Sequence, residues 1–168
     1  RTAYLPSPKQ TMKDILNFIN GRFVATSKTF DKRAPVDGSL IGRVHEDSAA
    51  DVDAAVTAAQ AALQGDWRRM TVVKRTDMLH AVADEINRRF DDFLQAEMAD
   101  TGKPHVLASH VDIPRGAANF KVFADIVKNV PTESFVMDTP DGGKAISYGL
   151  RTPLGVIAVI CPWNLPLL

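Results

Sequence analysis

Eight consecutive residues from Leu154 to Cys161, LGVIAVIC, offer no polar face, and no other stretch restricts the fold as much. A half-exposed strand alternates apolar with polar side chains. A continuous β-branched run predicts a parallel strand covered on both sides. The turn Pro162-Trp163-Asn164 follows it, and α/β folds place ligands beyond the carboxyl ends of such strands. Ile160 to Asn164 therefore form the first candidate site. A parallel strand needs parallel partners, and the sequence closes on PWNLPLL shortly afterwards. The 168 residues are accordingly expected to be a piece of a longer polypeptide.

The preceding segments read as a small β layer followed by helices. Residues 1–10, with Pro6 and Pro8 among polar neighbours, predict an extended arm. Asn20-Gly21 lies between alternating apolar residues, the pattern of a hairpin whose tight turn needs positive φ twice. Turn formers at Pro35, Asp37-Gly38 and Gly42 continue it as a small antiparallel layer. Ser48 and Asp51 form a capping-box pattern for a helix that presents Val52, Ala55, Val56, Ala59 and Leu63 and stops at Gly65. Further helices are expected over about 71–90 and 91–100, the second ending at Gly102-Lys103-Pro104. A last helix over 105–128 meets Pro114, where a restart capped by Asp112 is expected. Beyond a turn at Asp141-Gly142-Gly143, residues 144–152 predict a half-exposed strand with Ile146, Tyr148 and Leu150 on one face. There are no internal repeats.

Twenty Lys and Arg balance twenty Asp and Glu, so no diffuse field draws this chain to nucleic acid or to an anionic membrane surface. No apolar run approaches the ~18 residues of a membrane span. A lone cysteine excludes an internal disulfide framework and suits the cytoplasm. Cys161 could be a nucleophile, but five apolar residues precede it and a proline follows. A buried structural thiol is the expectation. His45, His80, His105 and His110 show no metal-ligand spacing, so no metal is expected. Asn164 could donate its amide to an oxyanion or cap the next helix. Trp163 could flank a flat cofactor or pack in a core. Arg115, a cation near an expected helix start, suggests an anionic ligand, with an ordinary exposed arginine as the alternative.

Five segments in order resemble the N-terminal part of the NAD(P)-dependent aldehyde dehydrogenase family. They are FINGRFV, the turn Pro35 to Gly38, DVDAAVTAAQAAL with Trp67 behind it, DTGKP at 100–104, and TPLGVIAVICPWNLPLL. With DIPRGAANF at 112–120, the chain is most similar to bacterial 2-aminomuconate and 2-hydroxymuconate 6-semialdehyde dehydrogenases of aromatic-ring catabolism. The resemblance implies an α/β fold: hairpins and helices of the cofactor-binding domain over 11–134, an oligomerisation strand arm over 135–153, and from 154 to 168 the first strand of a Rossmann-like NAD-binding core. It implies that Asn164 stabilises the oxyanion and that Ile160, Cys161, Pro162 and Trp163 line the nicotinamide and ribose side of NAD. Cys161 is then not the nucleophile. The resemblance further implies that Arg115 pairs with the carboxylate of an acidic semialdehyde, and that the enzyme is a homodimer or homotetramer. The family's catalytic cysteine and general-base glutamate fall beyond Leu168, so these residues alone are not expected to catalyse. Two alternatives stand beside this reading. One is a different aldehyde, betaine or aliphatic, although a cation at Arg115 would repel betaine. The other is a non-catalytic module that pairs with another chain.

Overall fold

A computed structural model describes residues 13–167; the arm expected over 1–10 lies outside them. The elements run β1 (Lys13–Ile15), β2 (Asn17–Ile19), β3 (Arg22–Val24), β4 (Thr29–Arg33), β5 (Leu40–His45), α1 (Ala49–Gln64), α2 (Asp66–Arg69), α3 (Val72–Arg88), α4 (Phe90–Thr101), α5 (His105–Leu107), a π turn (Ala108–Asp112), α6 (Ile113–Lys128), β6 (Ser134–Asp138) and β7 (Lys144–Tyr148).

The hairpin β2–β3 turns on Asn20 at φ 51° and Gly21 at φ 78°, the left-handed pair that Asn-Gly supplies at least cost. The adjoining layer departs from expectation. β5 lies between β4, antiparallel to it, and β1, parallel to it, so the sheet is mixed. The long connection from β1 to β5 carries a hairpin of its own, and that length permits the parallel pairing no tight turn could make.

Ser48 caps α1 as its spacing predicts: the Asp51 N–H donates to Ser48 Oγ while the Ser48 N–H donates to Asp51 Oδ2 at 2.8 Å. Hydrogen bonds from Ser48 hold the Asp51 carboxyl below its ordinary range. The cap's charge-assisted part is thus present above the ordinary aspartate range and is lost as pH falls through the lowered value. Replacing Ser48 by Ala is expected to cost about 1 kcal/mol, readable as a lower urea midpoint. The apolar face of α1 buries little: Val52 and Val56 stay exposed. An open groove separates Val56, Gln60 and Gln64 from Leu154, Gly155 and Val156.

The core belongs to α3, α4, the π turn and α6. Ala83, Ile86, Leu94, Ala108, Ile113 and Ala117 are buried together, with Phe90, Phe93, Met98 and Phe120 packed around them. α3 and α6 are antiparallel, since Asp77, His80 and Asp84 pair in order with Lys128, Asp125 and Lys121. Exposed pairs of this kind contribute little energy. The close approach comes from alanines: Ala83 and Ala124 are fully buried. On α3, Thr76, Ala83 and Ile86 are buried, while Val82 is exposed.

The last helix does not restart at Pro114. Asp112 has helical φ and ψ and makes no side-chain cap, and the chain stays helical from His105 to Lys128. It does so by widening: the Ile113 N–H donates to Ala108 O, five residues back. Proline lacks a donor and crowds the preceding turn, and the π turn relieves that crowding without breaking the helix.

The expected buried strand over 154–161 is not formed. No described residue pairs with it, and Leu154, Val159 and Ile160 are 93%, 81% and 94% exposed. A parallel strand draws its stability from neighbours on both edges, and β1–β7 supply none. In β7, Ile146 and Tyr148 are exposed, as is Leu150 beyond it, so the apolar side of that strand is its open side. Among the described residues no helix is long and apolar enough to cross a membrane.

Candidate functional site

Pro162 to Leu167 fold into turns, the Leu165 N–H donating to Pro162 O. This carries Leu167 onto α6, where it packs against the helical core. The seat is Gly116: a Cβ there would stand 2.7 Å from Leu167 Cγ and 2.8 Å from Cδ2, and 3.3 Å from the Leu167 carbonyl oxygen. Only a residue without a side chain admits the turn. Arg115 precedes that seat on α6, and Asn164 stands three residues before Leu167 in the turn seated there.

The remaining expectations fare unevenly. Arg115 is exposed and, among the described residues, carries no ion pair. It sits well inside a helix that begins at His105, so the argument from the helix dipole lapses, since that effect is confined to the first turn. Trp163 is 88% exposed, and Asn164 and Pro162 are exposed beside it. Cys161 is exposed, against the expectation of a buried thiol, because the strand that would have covered it has no partner. His80 Nε2 pairs with Asp125 and His45 Nδ1 accepts from the Thr26 N–H, which are local structural roles. Among the described residues no three His, Cys, Asp or Glu side chains converge on a metal position.

Three features escaped the sequence reading. The first is the Gly116 seat, for which a signal existed: a glycine within a helix costs about 1 kcal/mol against alanine and calls for a packing reason. Gly116→Ala should therefore lose stability, despite its better helix propensity, through a lower urea midpoint and faster proteolysis at the turn; a gain would mean that Leu167 is not seated there. The second is the contact between two turns. Gly102 ends α4 at φ 71°, and a Cβ on it would meet Pro35 Cγ at 3.0 Å and Val36 Cγ2 at 3.2 Å. Lys32 and Asp100 form an ion pair alongside, so the Pro35 turn and the DTGKP turn form one joint.

The third is ionic. Lys103 Nζ donates to Glu97 Oε1 at 2.9 Å and to Asp112 Oδ2 at 2.8 Å, with both carboxylates almost fully buried. Burial pushes the Lys103 ammonium down, but its hydrogen bonds to Asp112 and Glu97 and their charges outweigh burial and leave it raised. The raised value means the cluster's contribution is complete below the ordinary lysine range and is lost as pH rises through the higher one. It is intact at neutral pH.

Comparison with known proteins agrees with the motif order. The family model for the aldehyde dehydrogenase family matches residues 23–168. The 2-hydroxymuconic semialdehyde dehydrogenase of Pseudomonas sp. (strain CF600) is 62% identical over 159 residues, 94% of this chain and 33% of that protein. A 2-aminomuconic 6-semialdehyde dehydrogenase of Pseudomonas sp. is 53% identical over 157 residues, covering 94% and 32%. The chain thus spans about a third of the length of these curated relatives. Among solved structures, the P. syringae indole-3-acetaldehyde dehydrogenase C302A mutant in complex with NAD+ and IAA superposes with a TM-score of 0.83 at 32% identity, covering 95% of this chain and 32% of that one. With a family match over nearly the whole chain and solved folds that follow the same path, this chain belongs to the aldehyde dehydrogenase family.

Proposed function

We propose that these residues form the N-terminal part of an NAD-dependent dehydrogenase that oxidises an acidic semialdehyde, 2-hydroxymuconic or 2-aminomuconic semialdehyde, to the dicarboxylate. The observation that carries the reading is the seating of Leu167 on Gly116, which brings the turn that holds Asn164 back onto the helix that carries Arg115. The two groups suit the two ends of such a substrate. Asn164 donates its side-chain N–H to the aldehyde oxygen as negative charge develops there. Arg115 receives the distal carboxylate through charge-assisted hydrogen bonds.

A nicotinamide cofactor fits the donor set beside them. The turn that follows residues 154–161 leaves Trp163 and Asn164 exposed, as a site beyond the carboxyl end of a strand requires. Ile160 and Trp163 offer exposed apolar surface to a flat ring, and Cys161 and Pro162 complete that wall. The cofactor, when bound, accepts the hydride. The exposed apolar side of β7, with Val136 on β6 opposite Ile146, suits pairing with another copy in a homodimer or homotetramer. The cytoplasm, where a single exposed thiol stays reduced, is the compartment we assign.

The test uses a full-length dehydrogenase that carries this segment, given 2-hydroxymuconic semialdehyde or hexanal with NAD or NADP, and follows reduced cofactor by fluorescence. A higher kcat/KM for the acidic semialdehyde with NAD is expected. A preference for hexanal would overturn the substrate, and a preference for NADP the cofactor.

A further inference from the structure

Lys103, Glu97 and Asp112 form a buried ionic cluster that touches neither the proposed oxyanion position nor the proposed carboxylate position. Removing three charges from water is costly, and a buried pair is weak grounds for stability. A register role is the better attested use of such groups.

The cluster's position favours that use. Asp112 is the last residue of the π turn, whose bond from the Ile113 N–H to Ala108 O holds one residue more than an α turn. One added residue turns everything downstream by about 100° relative to what precedes it. Arg115 and Gly116 follow within four residues of Asp112, so the π turn decides which way the guanidinium and the Leu167 seat face. Pro114 makes an α-helical turn unfavourable here but does not choose where the extra residue goes. Lys103 can choose, because it is anchored outside the helix. It follows Gly102, which is wedged against Pro35 and Val36, and its ammonium reaches Asp112 from that joint. Glu97 on α4 accepts a second hydrogen bond from the same ammonium, so its position is fixed from two sides.

Resting on the reading of Arg115 as the carboxylate anchor, we propose that Lys103 is a positioning residue: clamped between Glu97 and Asp112, it holds the π turn in register and thereby aims Arg115 at the substrate carboxylate.

The experiment compares Lys103→Gln and Asp112→Asn with the parent in a full-length dehydrogenase carrying this segment. It measures KM and kcat for 2-hydroxymuconic semialdehyde and for hexanal, together with hydrogen exchange at the amides of Ile113, Arg115 and Gly116. A misdirected anchor costs affinity only where there is a carboxylate to bind. KM for the acidic semialdehyde should therefore rise about 10-fold, since misplacements of about 1 Å are costly. The hexanal KM and both kcat values should stay close to the parent's, and exchange at those amides should quicken. Should Lys103→Gln fail to fold, Asp112→Asn decides, because it keeps the side chain's size while removing the charge that holds the Lys103 ammonium. Parallel rises in KM for both substrates would mean general structural support and overturn the proposal, as would an unchanged KM for the acid. An Arg115→Ala variant with unchanged KM overturns the substrate reading and this role with it; an Arg115 effect without a Lys103 or Asp112 effect overturns this role alone.

Discussion

Replacing Asn164 by alanine in a full-length dehydrogenase carrying this segment is expected to lower kcat by about 10²–10³-fold, the loss typical of removing one well-aimed oxyanion donor. The amide meets full negative charge only once the aldehyde carbon has been attacked. The loss should accordingly fall on kcat and leave KM within a few-fold. Asn164 is exposed and engages none of the described side chains, so truncating it breaks no internal bond and the protein's melting temperature should hold. Single-turnover measurement of reduced cofactor checks this directly. Turnover at the parent rate would remove Asn164 from the oxyanion position and leave it a turn residue.

The second large effect is expected at Arg115. Arg115→Ala removes hydrogen bonds to a charged partner worth about 1.5–3 kcal/mol, which is roughly 10–100-fold in KM for the acidic semialdehyde. Hexanal, with no carboxylate, should bind as before. Arg115→Lys should recover part of the loss, since lysine keeps the charge but lacks the planar fork that matches a carboxylate. Arg115 carries no ion pair among the described residues, so the truncation should leave stability within ±0.5 kcal/mol. Equal losses for both substrates would place Arg115 in the fold and remove it from substrate selection.

Much of the local structure was legible because its causes are local. Asn20-Gly21 makes its turn with backbone torsions few other residues tolerate, and Ser48 with Asp51 closes a cap within four residues. Gly102 ends α4 in the left-handed conformation, as its place before Lys103-Pro104 predicted. Three expectations failed where the cause is distant. The parallel pairing of β1 with β5 depends on where a 24-residue connection returns, and no short-range pattern encodes that. Asp112 was expected to cap a new helix because it stands two residues before a proline. Its carboxylate instead meets Lys103, nine residues back, and the helix widens rather than stops. The run 154–161 has strand composition, but a strand exists only with an edge to pair on, and Cys161 is exposed for the same reason.

By itself the sequence determined the Asn20-Gly21 turn, the Ser48 cap, the first long helical spans and, through the order of its motifs, the family. Each of these depends on residues within a turn of one another or on direct likeness. Tertiary structure alone decided that a glycine in α6 receives Leu167, that the Pro35 and DTGKP turns lock together, and that Lys103 reaches across to the π turn. These contacts join positions up to 67 residues apart. Their physical basis is steric and electrostatic fit between surfaces that meet only after the helices have packed, and for that reason no window of sequence contains them.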